Sequence, residues 1–181
     1  MKTEKAYKED ENVPKPSQEK LWELIQSCWE NVIDLIQDSE ILFNRSKYPR
    51  AYALAYTALE ELGKYLIVCD YYNGLVSKEE FEKAFHNHGM KPGYLFNKVV
   101  MSEDFPDKII YDEKRFQSYF QERNNAMYVR WDKKNEAILL PKKHVNKEFA
   151  EMMIAKVKRQ VESIVHAIEL TGRIGSKGLY K

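Results

Sequence analysis

Apolar residues that return every three or four positions, over stretch after stretch, constrain this chain most, because only helices bury such a pattern on one face. Leu21, Leu24, Ile25, Cys28, Val32, Leu35 and Ile36 form the first stripe, behind Ser17 as N-cap and running to about Asn44. SKYP then turns the chain, Pro49 suits a first helical turn, and an Ala-rich second helix runs to the stop Asn73-Gly74. Ser77 and Glu80 have the S-x-x-E spacing of a capping box and start a third, shorter helix that Gly89 should end. Pro92 to Met101 reads as a fourth short helix and SEDFPDK as loop, while Phe116, Phe120 and Met127 mark a fifth helix through about Arg130. WDKKNEAILLPKK breaks the period and reads as a short hairpin or irregular crossing, its strand signal confined to ILL at 138 to 140. Asn146 caps a last long helix with the stripe Phe149, Met153, Val157, Val161, Ile164 and Ile168, and Gly172 ends it.

These elements predict an all-α fold, a helical bundle of about five to six helices. A chain of 181 residues suits one domain, here over 17–172. A mobile charged tail is expected at 1–16, which has almost nothing to bury, and a polar tail at 173–181. The formal net charge of +1 gives no strong overall field, so any contact with nucleic acid needs a local patch. No apolar run reaches the roughly eighteen residues that span a bilayer, and no hydrophobic core of a signal peptide follows the start MKTEKAYKEDEN. Cys28 and Cys69 have no CxxC spacing. Together these features predict a cytoplasmic protein with reduced thiols and no membrane association.

Some charges sit where a helical stripe should be apolar. Counting from Leu54 through Ala58, Glu61, Tyr65 and Val68 puts Glu61 on the inner stripe of the second helix, where an isolated carboxylate is costly or becomes neutral. Glu60 falls on a neighbouring stripe with Ala53, Thr57 and Lys64, and Glu60–Lys64 reads as a surface ion pair worth about 0.3–0.5 kcal/mol. On the fifth helix the same count, Phe116, Phe120, Arg123, Met127, puts a guanidinium toward the core. Glu61 and Arg123 are therefore expected to pair, either as a structural bridge or as a site, with the second helix facing the fifth.

Beside Arg123 stand Asn124 and Asn125, poor helix formers, and then Tyr128, whose hydroxyl can contact a phosphate. His86, His88 and Lys91 bunch at a helix end in FHNHGMK. Imidazoles suit proton transfer near neutral pH, solvated helix-end histidines are the plain alternative, and HxH without further ligands nearby predicts no metal site. A Gly-rich phosphate loop, a Ser-His-Asp set and a GxSxG elbow are all missing, which disfavours nucleotide kinases and common hydrolases, and no cofactor is implied.

The stretch ILFNRSKYPRAYALAYTALEELGKYLIV, residues 41 to 68, resembles the AbiV family of bacterial abortive infection proteins, a branch of the all-helical HEPN superfamily. It carries that family's small loop, Pro-Arg-Ala, Ala/Leu-rich helix and Glu-Glu-x-Gly-Lys. Weaker matches are His88-x-x-Lys91, and Arg123-Asn124 leading to Met127-Tyr128-Val129, so the resemblance spans about residues 20 to 170. It implies an antiviral role, the arrest of phage multiplication, usually at the expense of the infected cell.

The resemblance further implies a homodimer and metal-independent RNA cleavage by an Arg followed, four to six residues later on one helix, by a His. The Arg stabilises charge on the phosphoryl group and the His moves the proton of the 2′-hydroxyl. In this chain the position five residues after Arg123 is Tyr128, a poor base at neutral pH with an ordinary pKa of about 10. His88 is then expected to supply the imidazole, oriented by Glu61 and Lys64, so that Arg123, Glu61 and His88 converge. Glu60, Lys64, His86 and Lys91 are candidates for binding RNA or a partner, and Lys91, Lys98 and Arg123 for a local cationic cleft. Two functions follow from these residues. One is a ribonuclease effector, and the other is a non-enzymatic dimer that binds a phage protein or the translation machinery and arrests growth by occupancy.

Overall fold

The computed structural model describes residues 16–86, 91, 94 and 113–176. Among them six helices and one two-stranded sheet follow in the order α1 (Gln18–Asn44), α2 (Tyr48–Tyr72), α3 (Lys78–His86), α4 (Glu113–Met127), β1 (Arg130–Asp132), β2 (Ala137–Leu139), α5 (Pro141–His144) and α6 (Lys147–Thr171). The fold is the all-α helical bundle that the apolar periodicity predicts.

Helix ends fall where cap chemistry puts them. Ser17 Oγ accepts from Lys20 N at 3.2 Å and Asn146 Oδ1 from Phe149 N at 2.9 Å, each satisfying a first-turn donor that would otherwise cost about 1 kcal/mol. Ser77 and Glu80 form the reciprocal capping box, with Ser77 N donating to Glu80 Oε2 at 2.8 Å and Glu80 N to Ser77 Oγ at 3.1 Å. Gly172 closes α6 in the left-handed conformation, φ 64°, its N–H donating to Ile168 O at 2.7 Å.

α2 is the centre of the bundle. α1, α3, α4, α5 and α6 all pack against it, and 17 of its 25 residues are buried, so it has almost no solvent face. Tyr52, Tyr56, Leu59, Leu62, Leu66 and Ile67 are all but inaccessible, each contributing about 1.5–3 kcal/mol by leaving water. From α1 come Leu21, Ile25, Cys28, Val32 and Ile36, and from α6 Met153, Val157 and Ile164.

Three local expectations change. α4 ends at Met127, not near Arg130: Tyr128 N still donates to Asn124 O at 3.1 Å, but β-branched Val129 and aromatic Trp131 lead into the hairpin. Its inner stripe is Tyr119, Arg123 and Ala126, while Phe120 and Met127 are exposed; the side chain of Phe116 lies outside the described residues. On α6, Phe149 sits in the first turn before the packed seam begins and is exposed.

The break at WDKKNEAILLPKK is an antiparallel hairpin that pairs Arg130 with Leu139, Trp131 with Ile138 and Asp132 with Ala137. Past Gly172 the chain returns to α2, where Ile174 O accepts from Asn73 Nδ2 at 3.1 Å and Ser176 N donates to Oδ1 of the buried Asp70 at 2.7 Å. The expected stop at Gly89, the SEDFPDK loop and residues 1–15 of the expected 1–16 tail lie outside the described residues, as does the Pro92 to Met101 segment apart from the helical Tyr94. No helix among the described residues is long and apolar enough to cross a membrane.

Candidate functional site

Charge gathers where the middle of α2 meets α4 and residue 91. The 100° step between consecutive helical residues sends Glu60 and Glu61 to different neighbours. Glu60, 6% exposed, faces α4 and places Oε2 3.7 Å from Arg123 Nη2. Glu61 instead accepts from Lys64 Nζ at 2.6 Å, and its negative charge acts on the buried Cys28 thiol of α1. The expected pairing is therefore exchanged: Arg123 takes Glu60, and Lys64 takes Glu61. Glu60–Lys64 is not a surface pair, because the helix that carries it is packed on nearly every side.

Two aromatic surfaces hold the cations in place. The Arg123 guanidinium carbon lies 4.9 Å from the Phe120 ring centroid and 5.8 Å from that of Tyr56. Phe85 of α3 receives Lys64 Nζ at 5.6 Å and Lys91 Nζ at 5.9 Å. Such contacts favour the charged amine or guanidinium by about 0.5–2 kcal/mol. Lys91 is 5% exposed, an uncommon setting for lysine.

Gly63 makes this arrangement possible. A Cβ at position 63 would fall 2.1 Å from the Lys91 carbonyl oxygen and 2.5 Å from its carbonyl carbon, so only glycine lets that backbone rest on α2. Glu-Glu-x-Gly-Lys thus acts as one unit: its carboxylates face two directions, its glycine seats Lys91, and Lys64 shares the Phe85 ring with Lys91. The sequence signal was the lone Gly inside a strong helical pattern, which marks a close approach.

The electrostatics follow from the packing. Burial raises the Glu60 carboxyl above its ordinary value although Arg123, Lys91 and Lys64 pull it down. The Lys91 amine is lowered by burial and then by Lys64, against the opposing pull of Glu60 and Glu61. Cys28 is pushed up to about 12, chiefly by burial, then by the charge and hydrogen bond of Glu61. Burial thus disfavours the charged form of both the Glu60 carboxyl and the Lys91 amine, and groups perturbed in this way concentrate at functional sites.

The other candidates lie around this cluster. His86, the last residue of α3, is exposed and meets the Phe85 ring edge-on at 5.3 Å, one ring away from the two lysines. Asn124 is half-buried, and Asn125 is buried, its Oδ1 accepting from Gln121 Nε2 at 3.1 Å and Arg130 Nη1 at 2.8 Å. Tyr128 lies beyond the end of α4 and is 57% exposed. His88 and Lys98 lie outside the described residues, so the expected meeting of His88 with Arg123 falls there too. Cys28, Tyr56, Phe85 and Phe120 carry no site signal in the sequence, since each looks like an ordinary apolar position of its helix.

No curated protein and no solved structure matches the chain. The family model HEPN_AbiV, AbiV, matches residues 20–162, a span that runs from α1 into α6 and includes every member of the cluster. The chain therefore belongs to the AbiV family of HEPN proteins, a family of abortive infection and antiviral defence.

Proposed function

We propose that this protein is a defence effector that acts on RNA as a homodimer in the cytoplasm, with Arg123 and Glu60 at the centre of a metal-independent cleavage site. The observation that carries this reading is the Glu60–Arg123 pair, a buried carboxylate 3.7 Å from a guanidinium on the facing helix, beside the lysine at 91. Arg123 keeps 21% of its side chain accessible, enough to meet a phosphoryl oxygen while Glu60 fixes its direction.

In the reaction the 2′-oxygen of a ribose loses its proton to a base and attacks the adjacent phosphorus. The bond from phosphorus to the 5′-oxygen breaks, that oxygen takes up a proton, and the strand ends as a cyclic phosphate and a 5′-hydroxyl. Arg123 offsets the negative charge that grows on the phosphoryl oxygens. Glu60, raised by burial, and Lys91, lowered by it, are the described groups best suited to accept and return the proton. Tyr128 is too weak a base for that task and serves as a hydrogen-bond partner of the substrate.

Purified protein incubated with end-labelled single-stranded RNA, beside Arg123→Ala, tests the reading. Cleavage leaving cyclic phosphate ends, reduced about 100-fold or more in the variant, is the expected result. RNA left intact by the wild type when the chain arrests growth in cells, or cut equally by the variant, refutes it. The exposed Tyr128 at the place of an expected imidazole favours a second reading, a dimer that binds a phage protein or the translation machinery and acts by occupancy. Under that reading Arg123→Ala leaves RNA untouched and growth arrest intact.

A further inference from the structure

The hairpin that follows α4 is small, basic and unusually apolar on its outer side. Between positions 130 and 147 the chain carries six basic and two acidic side chains, Arg130, Lys133, Lys134, Lys142, Lys143 and Lys147 against Asp132 and Glu136, a net +4 in a chain whose total is +1. All six basic residues are exposed. Among them stand two aromatic rings open to solvent, Trp131 and Tyr128, each 57% exposed, and Ile138 at 60%. Trp131 and Ile138 are cross-strand partners and so share one face of the sheet, with Ile138 beside the indole.

This surface is held in shape. Asp132 Oδ1 accepts from Lys134 N at 3.0 Å and Asn135 N at 3.3 Å, its Oδ2 accepts from Asn135 Nδ2 at 2.7 Å, and Glu136 takes a left-handed φ of 49° to close the turn. The carboxylate nearest the lysines is thus committed to the turn. At the other end Arg130 is tied to Asn125 of α4 at 2.8 Å, two residues from Arg123. Trp131 follows Tyr128 by three residues, at most about 10 Å of chain, so both exposed rings lie on the short segment that leads from the end of α4 into the hairpin.

Exposed aromatic rings set among cations are what a single strand of nucleic acid needs, since each base offers a face for stacking and each phosphate a charge. A protein partner would be met by a patch with fewer like charges, because charged residues, lysine above all, are depleted at the centre of protein interfaces. We infer that the Tyr128–Trp131 hairpin is a docking platform for single-stranded RNA, with Trp131 and Tyr128 stacking on bases and Lys133, Lys134, Lys142 and Lys143 meeting phosphates, so that the strand is led toward Arg123. This inference rests on the reading of the chain as an RNA-directed effector and adds where and in what form the RNA is held.

Fluorescence anisotropy of labelled unstructured RNA oligonucleotides, measured over a salt series, tests it. The chain carries Arg123→Ala throughout so that substrate is not consumed. Added to that background, Trp131→Ala should weaken binding about tenfold. Lys133→Gln with Lys134→Gln should flatten the logarithmic salt dependence by about 1.4, and duplex RNA should bind more weakly than single strands. All three positions are exposed, and circular dichroism with sedimentation checks that the variants keep fold and assembly. Unchanged affinity and salt slope in both variants overturn the platform, as does the loss of a dimer in Trp131→Ala without loss of RNA affinity, which would assign the face to a second copy. Cleavage by the protein with intact Arg123 reports on the proposed activity separately: cleavage without hairpin-dependent binding sinks only the platform, and hairpin-dependent binding without cleavage sinks only the nuclease.

Discussion

Replacing Gly63 by alanine should destabilise this protein, although the same change in an ordinary helix interior stabilises by about 1 kcal/mol. The new Cβ would lie 2.1 Å from the Lys91 carbonyl oxygen, 2.5 Å from its carbonyl carbon and 3.1 Å from its Cα. A C···O contact settles at about 3.4 Å, so the backbone at 91 must retreat by about 1 Å or more, and no side-chain rotation relieves a clash with main-chain atoms. Overpacking of this kind costs about 1–3 kcal/mol, occasionally more, and outweighs the gain in helix propensity. The net loss, up to about 2 kcal/mol, should lower the melting temperature by up to about 8 °C for a chain of this size. Scanning calorimetry of the two proteins gives the answer directly. A melting temperature raised by about 2–4 °C, as propensity alone requires, would refute the contact between α2 and residue 91. The same variant should lose RNA cleavage out of proportion to its stability, because the Lys91 amine that pulls on the Glu60 carboxyl is placed by a backbone that rests on Gly63.

Two further outcomes follow from the buried groups. Glu60 has a folded pKa raised above its ordinary value by burial, so the stability linked to it is fully present below the unfolded pKa and lost as pH rises through the folded one. Urea unfolding from about pH 4 to about pH 8 should show Glu60→Gln gaining on the wild type as pH increases, since the amide escapes that loss; a constant difference would mean that Arg123 and the lysines cancel the burial penalty. Cys28 and Cys69 are both buried and pushed up to about 12, mainly by burial, so at about pH 8 neither should react with a thiol reagent until the protein is unfolded. Rapid labelling of the native chain would show that the thiols are not buried.

Much of the fold was legible because it is written locally. Ser17, the Ser77–Glu80 box, Asn146 and Gly172 act within one turn of a helix end, and each performs the cap its identity suggests. The apolar period of α1 and α6 names their buried faces, since each turns one side to the bundle and the other to water. Arg123 was also readable as a charge facing inward, because α4 has a real outer side against which its position looks wrong.

The middle of α2 was legible in kind and not in detail. Glu60 and Glu61 are adjacent and differ by 100° around the axis, and period counting chooses between such neighbours only when one side of the helix faces solvent. α2 is enclosed by other elements along most of its length, so every stripe is an inner stripe and the apolar count points nowhere in particular. Which carboxylate meets Arg123 was decided by where α4 lies, and the other was left to pair with Lys64 one turn on along α2 itself. The end of α4 was likewise set by tertiary structure: Tyr128 and Val129 leave the helix because Trp131 finds Ile138 across a hairpin whose pairing no local count reveals. By itself the sequence determined a helical bundle of this family and the residues from which a site is made. Only the packing of five elements around one central helix decided which charges share a partner, because that choice depends on directions in space and not on spacing along the chain.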